Sequence, residues 1–295
     1  MNRGYVYAFL AAICGGSIPT LTKILLQATM PIALSGLVFF LSGLAMIPYR
    51  PKSLPTKKSA PWVVAVGLIG AATAPFVYMV GLTMTSAVNV SLLSNGEVFF
   101  TVIIAFLVFG ERLTRNQLWE GLLIVAGIVI VTTNLSLGGV QLVQNLAGNL
   151  LVLFATFCWS VENNVIKTAA KRFGALFVTK YRNIIGGGIT LLLALGLGIS
   201  LLVPAGYLLP LALLVFALGA TSYLAIAALG MLGAIRTILV FSTTSIFGAA
   251  FALAVLGEQI TVVQVVGGAF LLLGVYLVQR SEPKTPLPNE EIPKT

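Results

Sequence analysis

The sequence predicts an all-α polytopic membrane protein: ten transmembrane helices, arranged as two inverted-topology five-helix repeats around a central cavity. Three observations lead there. The 295 residues are 58% hydrophobic and 8% charged, with a mean hydropathy of +1.04, more apolar surface than a water-soluble fold can hide. Apolar stretches of about 20 residues recur along the whole chain, each long enough to cross a bilayer core as a helix. Finally, a corner motif in the first half returns in the second.

The spans are read at residues 4–27, 31–49, 61–84, 86–109, 116–134, 147–168, 175–201, 207–230, 233–256 and 260–280. Three segments follow: 1–134 with five spans, 147–280 with five more, and 281–295 as a disordered cytoplasmic tail rich in Pro and charge. The first span runs on into further spans and lacks a small-residue cleavage region, so it reads as a retained helix.

Lys and Arg set the orientation, because they favour cytoplasmic loops. Arg50, Lys52, Lys57, Lys58, Arg112, Arg115, Lys167, Lys171 and Arg172 all fall on the side of the two termini. The opposite connections carry none, and only Lys23 lies near that surface. A plasma (inner) membrane location with both termini in the cytoplasm follows.

Aligning 110–131 with 257–278 brings Gly110, Glu111, Thr114, Gln117, Gly121, Gly127 and Val131 onto Gly257, Glu258, Thr261, Gln264, Gly268, Gly274 and Val278. Five spans per half is odd, so the halves must lie in opposite orientations. The charges agree: Glu111-Arg112-Leu113-Thr114-Arg115 is basic, whereas Glu258-Gln259-Ile260-Thr261-Val262 has lost both arginines. Inverted repeats of this kind characterise alternating-access carriers that hold substrate near the midplane.

Polar residues inside a span are costly and therefore informative; a charge at the bilayer centre costs roughly 3 kcal/mol. In the fourth span Ser94, Asn95, Glu97 and Thr101 interrupt an apolar run, with Ser94, Glu97 and Thr101 on one helical face. Ser242, Thr244 and Ser245 stand at the corresponding place in the ninth. Glu97 is a candidate for a substrate ammonium or a proton relay; a Glu hydrogen-bonded between helices is the plainer alternative.

Ser17, Pro19 and Thr20 in the first span suggest a broken helix at a ligand site, or a simple kink. Trp159 and Asn163 in the sixth suit stacking and polar contacts, while Glu162 on the same face is expected to pair structurally with Arg182 or Lys180. Tyr78 and Tyr223 are each a candidate cavity wall, with a packing residue the alternative. Glu111 and Glu258 are assigned a structural capping role at the membrane surface. Arg236 at the cytoplasmic end of the ninth span is read as a snorkelling side chain, with attraction of a substrate carboxylate the alternative. Spans two, five and ten are expected to be scaffold or lipid-facing, with Gly121, Gly127, Gly268 and Gly274 serving close packing.

What is absent narrows the function. With no His and no Asp, the chain cannot build an H-E-x-x-H zinc site or a Ser-His-Asp triad, and it has no phosphate-binding G-x-x-x-x-G-K-[ST] loop. No cofactor, metal site or enzymatic activity is expected. Cys14 and Cys158 lie mid-span, as small hydrophobes. The net charge of +9 follows membrane orientation; no nucleic-acid partner is expected.

The duplicated G-E-x-[LI]-T corner, each leading into a Gly-spaced helix, resembles the EamA-type branch of the drug/metabolite transporter superfamily, including the YddG amino-acid exporters. The resemblance covers residues 4–280 and implies a ten-helix basket with a central cavity and export of amino acids and related metabolites. Where that branch often has Pro fourteen residues before the corner Glu, this chain has Glu97 and Thr244. The expected function is alternating-access export of neutral or aromatic amino acids. A multidrug or other metabolite carrier is the alternative, and a channel or membrane enzyme a remote one.

Overall fold

Every described element is helical, which fits a lipid setting: a helix satisfies its own backbone hydrogen bonds where no water can. This computed structural model describes residues 3–46, 60–109, 115–133, 140–173, 175–232, 237 and 240–281. The elements in order are α1 (Arg3–Leu25), α2 (Pro31–Ala45), α3 (Ala60–Val66), a π-helical stretch (Gly67–Thr73), α4 (Ala74–Met84), α5 (Ala87–Leu93), α6 (Gly96–Phe109), α7 (Arg115–Thr133), α8 (Val140–Phe173), α9 (Ala175–Gly196), a 3₁₀ turn (Ala205–Tyr207), α10 (Leu208–Leu232), α11 (Thr244–Leu256) and α12 (Val262–Ser281).

Local chemistry sets the boundaries. Pro31 opens α2, where its missing N–H has no intrahelical role. Ser86 caps α5 by accepting from Asn89 N at 3.0 Å. Gly257 ends α11 with φ 66°, a left-handed conformation that glycine adopts without a Cβ penalty. Thr261 and Gln264 then start α12 as a reciprocal capping box, Gln264 N donating to Thr261 Oγ1 at 3.1 Å and Thr261 N to Gln264 Oε1 at 2.9 Å. The second copy of the corner motif is thus a stop signal, a carboxylate and a start signal in eight residues.

Among the described residues, six helices are long and apolar enough to cross a membrane: Arg3–Leu25, Val63–Met84, Ala87–Val108, Arg115–Thr133, Asn145–Asn163 and Ala205–Ala225. Pro31–Ala45, Thr244–Leu256 and Val262–Val278 are apolar but shorter. Length and composition thus support six of the ten expected spans among the described residues. Large apolar side chains point outward, among them Trp119, Leu192 and Phe216. A belt of this size signals a non-aqueous surround.

Chain order and spatial order differ. The first helix, α1, packs on α10 and α11, while α8 packs on α4 and α6. Two further pairings, α2 with α9 and α7 with α12, tie the early helices to the late ones. In the α7–α12 seam a Cβ on Gly127 would lie 2.8 Å from Leu271 N, and one on Gly274 would lie 2.9 Å from Ile124 N. Only glycine permits that approach. Gly121 and Gly268 instead face Phe99 and Leu92.

Candidate functional site

The described residues enclose a central cavity of about 770 Å³, within the size range of small-molecule sites. Its walls come from α1, α2, α4, α5, α6, α8 and α10 and from residues 241–245. Of the residues singled out in the sequence, Pro19, Tyr78, Ser94, Asn95, Glu97, Thr101, Trp159, Asn163, Ser242, Thr244 and Ser245 line it together.

Three do not. Tyr223 projects from the outer face of α10 and is 57% exposed. Its neighbours Leu214, Leu218 and Thr221 hold the cavity face by i, i+4 and i+7 spacing, and two residues of helix turn Tyr223 away from them. Ser17 donates to Cys14 O at 2.7 Å within its own helix, and Thr20 is buried outside the lining. Nor is the first span broken: α1 runs through Pro19. Pro19 still cannot donate to the carbonyl of Gly15, and both residues border the cavity.

The break lies in the fourth span. α5 ends at Leu93, a turn holds Ser94 and Asn95, and α6 starts at Gly96. Ser94 Oγ donates to Val90 O at 2.8 Å and Asn95 Nδ2 to Leu92 O at 3.1 Å. Both carbonyls also accept a main-chain amide across the turn, Val90 O from Ser94 N at 3.0 Å and Leu92 O from Asn95 N at 3.2 Å. Glu97 enters the cavity one residue into α6. Asn163 Nδ2 donates to Glu97 Oε1 at 2.5 Å, and Ser160 Oγ to Glu97 O at 2.8 Å. α8 therefore fixes both ends of the residue.

An aromatic corner stands beside the carboxylate. Tyr78 and Trp159 have ring centroids 5.4 Å apart at 55°, and Trp159 Nε1 donates to Gly70 O at 3.0 Å. That carbonyl belongs to the π-helical stretch, whose wider turn loosens the usual backbone pairing. The Glu162 carboxylate fills the place a Cβ on Gly70 would take and pairs with the Arg182 guanidinium, outside the cavity lining. Trp159, Glu162 and Asn163 thus bind α8 to three separate elements.

On the opposite wall a Cβ on Gly15 would lie 3.1 Å from Thr244 Cγ2 and 3.4 Å from Thr221 Cγ2. Thr244 Oγ1 donates to Phe241 O at 2.5 Å and Ser245 Oγ to Ser242 O at 3.1 Å. The Thr22 and Thr221 hydroxyls, also in the lining, have no hydrogen-bond partner among the described residues. No Lys or Arg lies among the described lining residues, and Glu97 is their one carboxyl.

Sequence reasoning missed Val38 and Phe39 of α2, taken as scaffold or lipid-facing, and also Thr22, Ser91 and Thr221. The α10 spacing from Leu214 could have revealed Thr221; nothing in the apolar run of α2 marks Val38. Glu111, Arg236 and residues 282–295 of the tail fall outside the described residues, and Glu258, just past α11, is not part of the lining.

The helical fold and its apolar outer face fit a membrane protein, and the sequence comparisons give its class. The EamA-like transporter family matches residues 2–133 and 146–280, and the chain belongs to that family. It is 28% identical to an uncharacterized transporter of Methanothermobacter thermautotrophicus over 93% of this chain and 85% of that one. The uncharacterized transporter YyaM of Bacillus subtilis is 26% identical over 74% of this chain and 73% of its own. A solved structure titled only as a crystal structure of protein shares the fold, with a TM-score of 0.63 at 16% identity, covering 93% of this chain and 96% of that one.

Proposed function

We propose that this transporter exports small solutes bearing an ammonium group, amino acids with apolar or aromatic side chains foremost, by alternating access. One observation carries the reading: a lone carboxyl, Glu97, stands at a helix break inside a cavity whose described lining holds no cation. A solute's ammonium would meet Glu97 and the Asn163 amide, and its body would lie against Tyr78 and Trp159. An amino acid's carboxylate would meet the Thr221 hydroxyl and the start of α11, where helix N-termini favour negative charge.

Ten spans in two inverted repeats, in a plasma (inner) membrane with cytoplasmic termini, complete the proposal. Its support is the two-part family match, the charge asymmetry of the loops and the neighbour pattern. If each half is counted in five spans, the first span of either half packs on the third and fourth spans of the other. The bodies that rock would then be α1–α10–α11 against α8–α4–α6, each drawing on both sequence halves.

The missing lining cation also favours a second reading, a carrier of organic cations. Uptake of phenylalanine and of phenethylamine into liposomes holding the purified protein separates the two. Preferred uptake of phenylalanine supports the amino-acid reading. Preference for the decarboxylated amine replaces it with the second, and transport of neither removes both.

A further inference from the structure

We infer that Lys23 and Glu258 form a releasable clasp that closes the cavity at one end, so that the corner glutamate works as a gate of the transport cycle beyond its capping role. Glu258, just past α11, accepts from Ala87 N at 2.9 Å and from Val88 N at 3.0 Å, the first two amides of α5. Lys23, near the end of α1, donates to Glu258 Oε1 at 2.9 Å and to Thr85 O at 2.6 Å. Both charged side chains therefore hold the α4–α5 corner from across the molecule: α1 and α11 pack together on one side, and the corner continues into α4 on the other.

Two further contacts show what the clasp closes. Behind it α5 packs on α11, where a Cβ on Gly248 would strike the Ser91 hydroxyl, and Ser91 lines the cavity. Past the break at Ser94–Asn95 the chain leaves α11, and α6 packs chiefly on α8. The cavity is therefore sealed where α5 meets α11, and the clasp sits over that seam.

Its chemistry suits release. Glu162 of the other ion pair is 1% exposed, so parting it would strand a charge in an apolar setting. Lys23 and Glu258 are 29% and 15% exposed and border a polar pocket of about 580 Å³. Water can take over their hydrogen bonds when they part, which keeps the two states close in free energy.

The gate rests on the carrier reading but not on the substrate. Spin labels on Thr83→Cys and Gln259→Cys, which flank the pocket, report the gap across it in a background with Cys14 and Cys158 replaced by Ala. Lys23→Gln decides the matter, because it leaves Glu258 on the α5 amides and so keeps the cap. It is expected to add a longer distance population, raising the open-to-closed ratio roughly tenfold, while Lys23→Arg restores the parental distribution. Glu258→Gln, where it folds, is expected to open further. An unchanged distribution in Lys23→Gln overturns the gate, since a merely structural cap would change melting alone. Because no substrate enters the measurement, an opened gap with no amino-acid uptake by the parent would sink the substrate reading and leave the gate standing.

Discussion

At the scale of single residues, Glu97 is held by neighbours chosen for the task. Its Oε1 accepts from Asn163 and its main-chain oxygen from Ser160. Glutamine keeps an acceptor for Asn163 but removes the charge. Glu97→Gln is therefore expected to lower uptake of ammonium-bearing solutes roughly 10- to 100-fold, the worth of a charge-assisted hydrogen bond, with an unchanged thermal transition in detergent. Normal uptake by the mutant in liposomes would leave Glu97 a packing residue. Trp159 differs, because its N–H is already committed to Gly70 O. Trp159→Phe strands that carbonyl and is expected to cost about 1 kcal/mol of stability, read as a lower melting temperature. Wider acceptance of bulky solutes in competition assays should accompany it.

Among the elements, the π-helical stretch was the least legible in the sequence. Gly67 and Gly70 lie in an apolar run that reads as plain helix; only the structure shows why they are glycines. Gly70 makes room for the Glu162 carboxylate, which could not be seen before α8 and the third span were placed side by side. Gly70→Ala should displace that carboxylate from Arg182 and cost roughly 3 kcal/mol or more, measured as loss of the folded monomer in size-exclusion profiles. Gly219→Ala is the control: nothing lies within 4 Å of its Cβ position, so a helix-interior alanine there should stabilise by about 0.5–1 kcal/mol. Equal behaviour of the two variants would remove this account of the stretch. The polar interruptions were easier to see, since Ser94, Asn95 and Ser242 announce themselves among apolar neighbours, but that the helix is interrupted at Ser94 and Asn95 was not foreseen. Pro19 misled: a proline within a helix bends it or frees a carbonyl, and need not end it.

For the whole molecule, composition and the repeated corner were enough to indicate a helical membrane carrier, because lipid allows few other solutions. They could not show which helices become neighbours. α1 and α8 cross over to the opposite half, and that exchange leaves no trace in hydropathy. Tyr223 failed for a related reason: residue type was visible, but helix rotation was not. A carrier of this build should accelerate when the far compartment is loaded, since a bound solute can return on the same site. Preloading liposomes with unlabelled substrate should therefore speed entry of labelled substrate. A pore would show no such stimulation and would pass steady current in a planar bilayer.

In the proposed transport cycle, the interruption at Ser94 and Asn95 would let one span work as two levers on a shared pivot. The lever before it packs chiefly on α11 and the lever after it on α8, so in that cycle a tilt between the two levers would be concentrated at two residues. Glu97 sits a single turn from that pivot, with its oxygen in the grip of the second lever. A guest that pulls on the carboxylate also loads the joint. Recognition and motion then share the same few atoms, and a signal has no distance to travel between them.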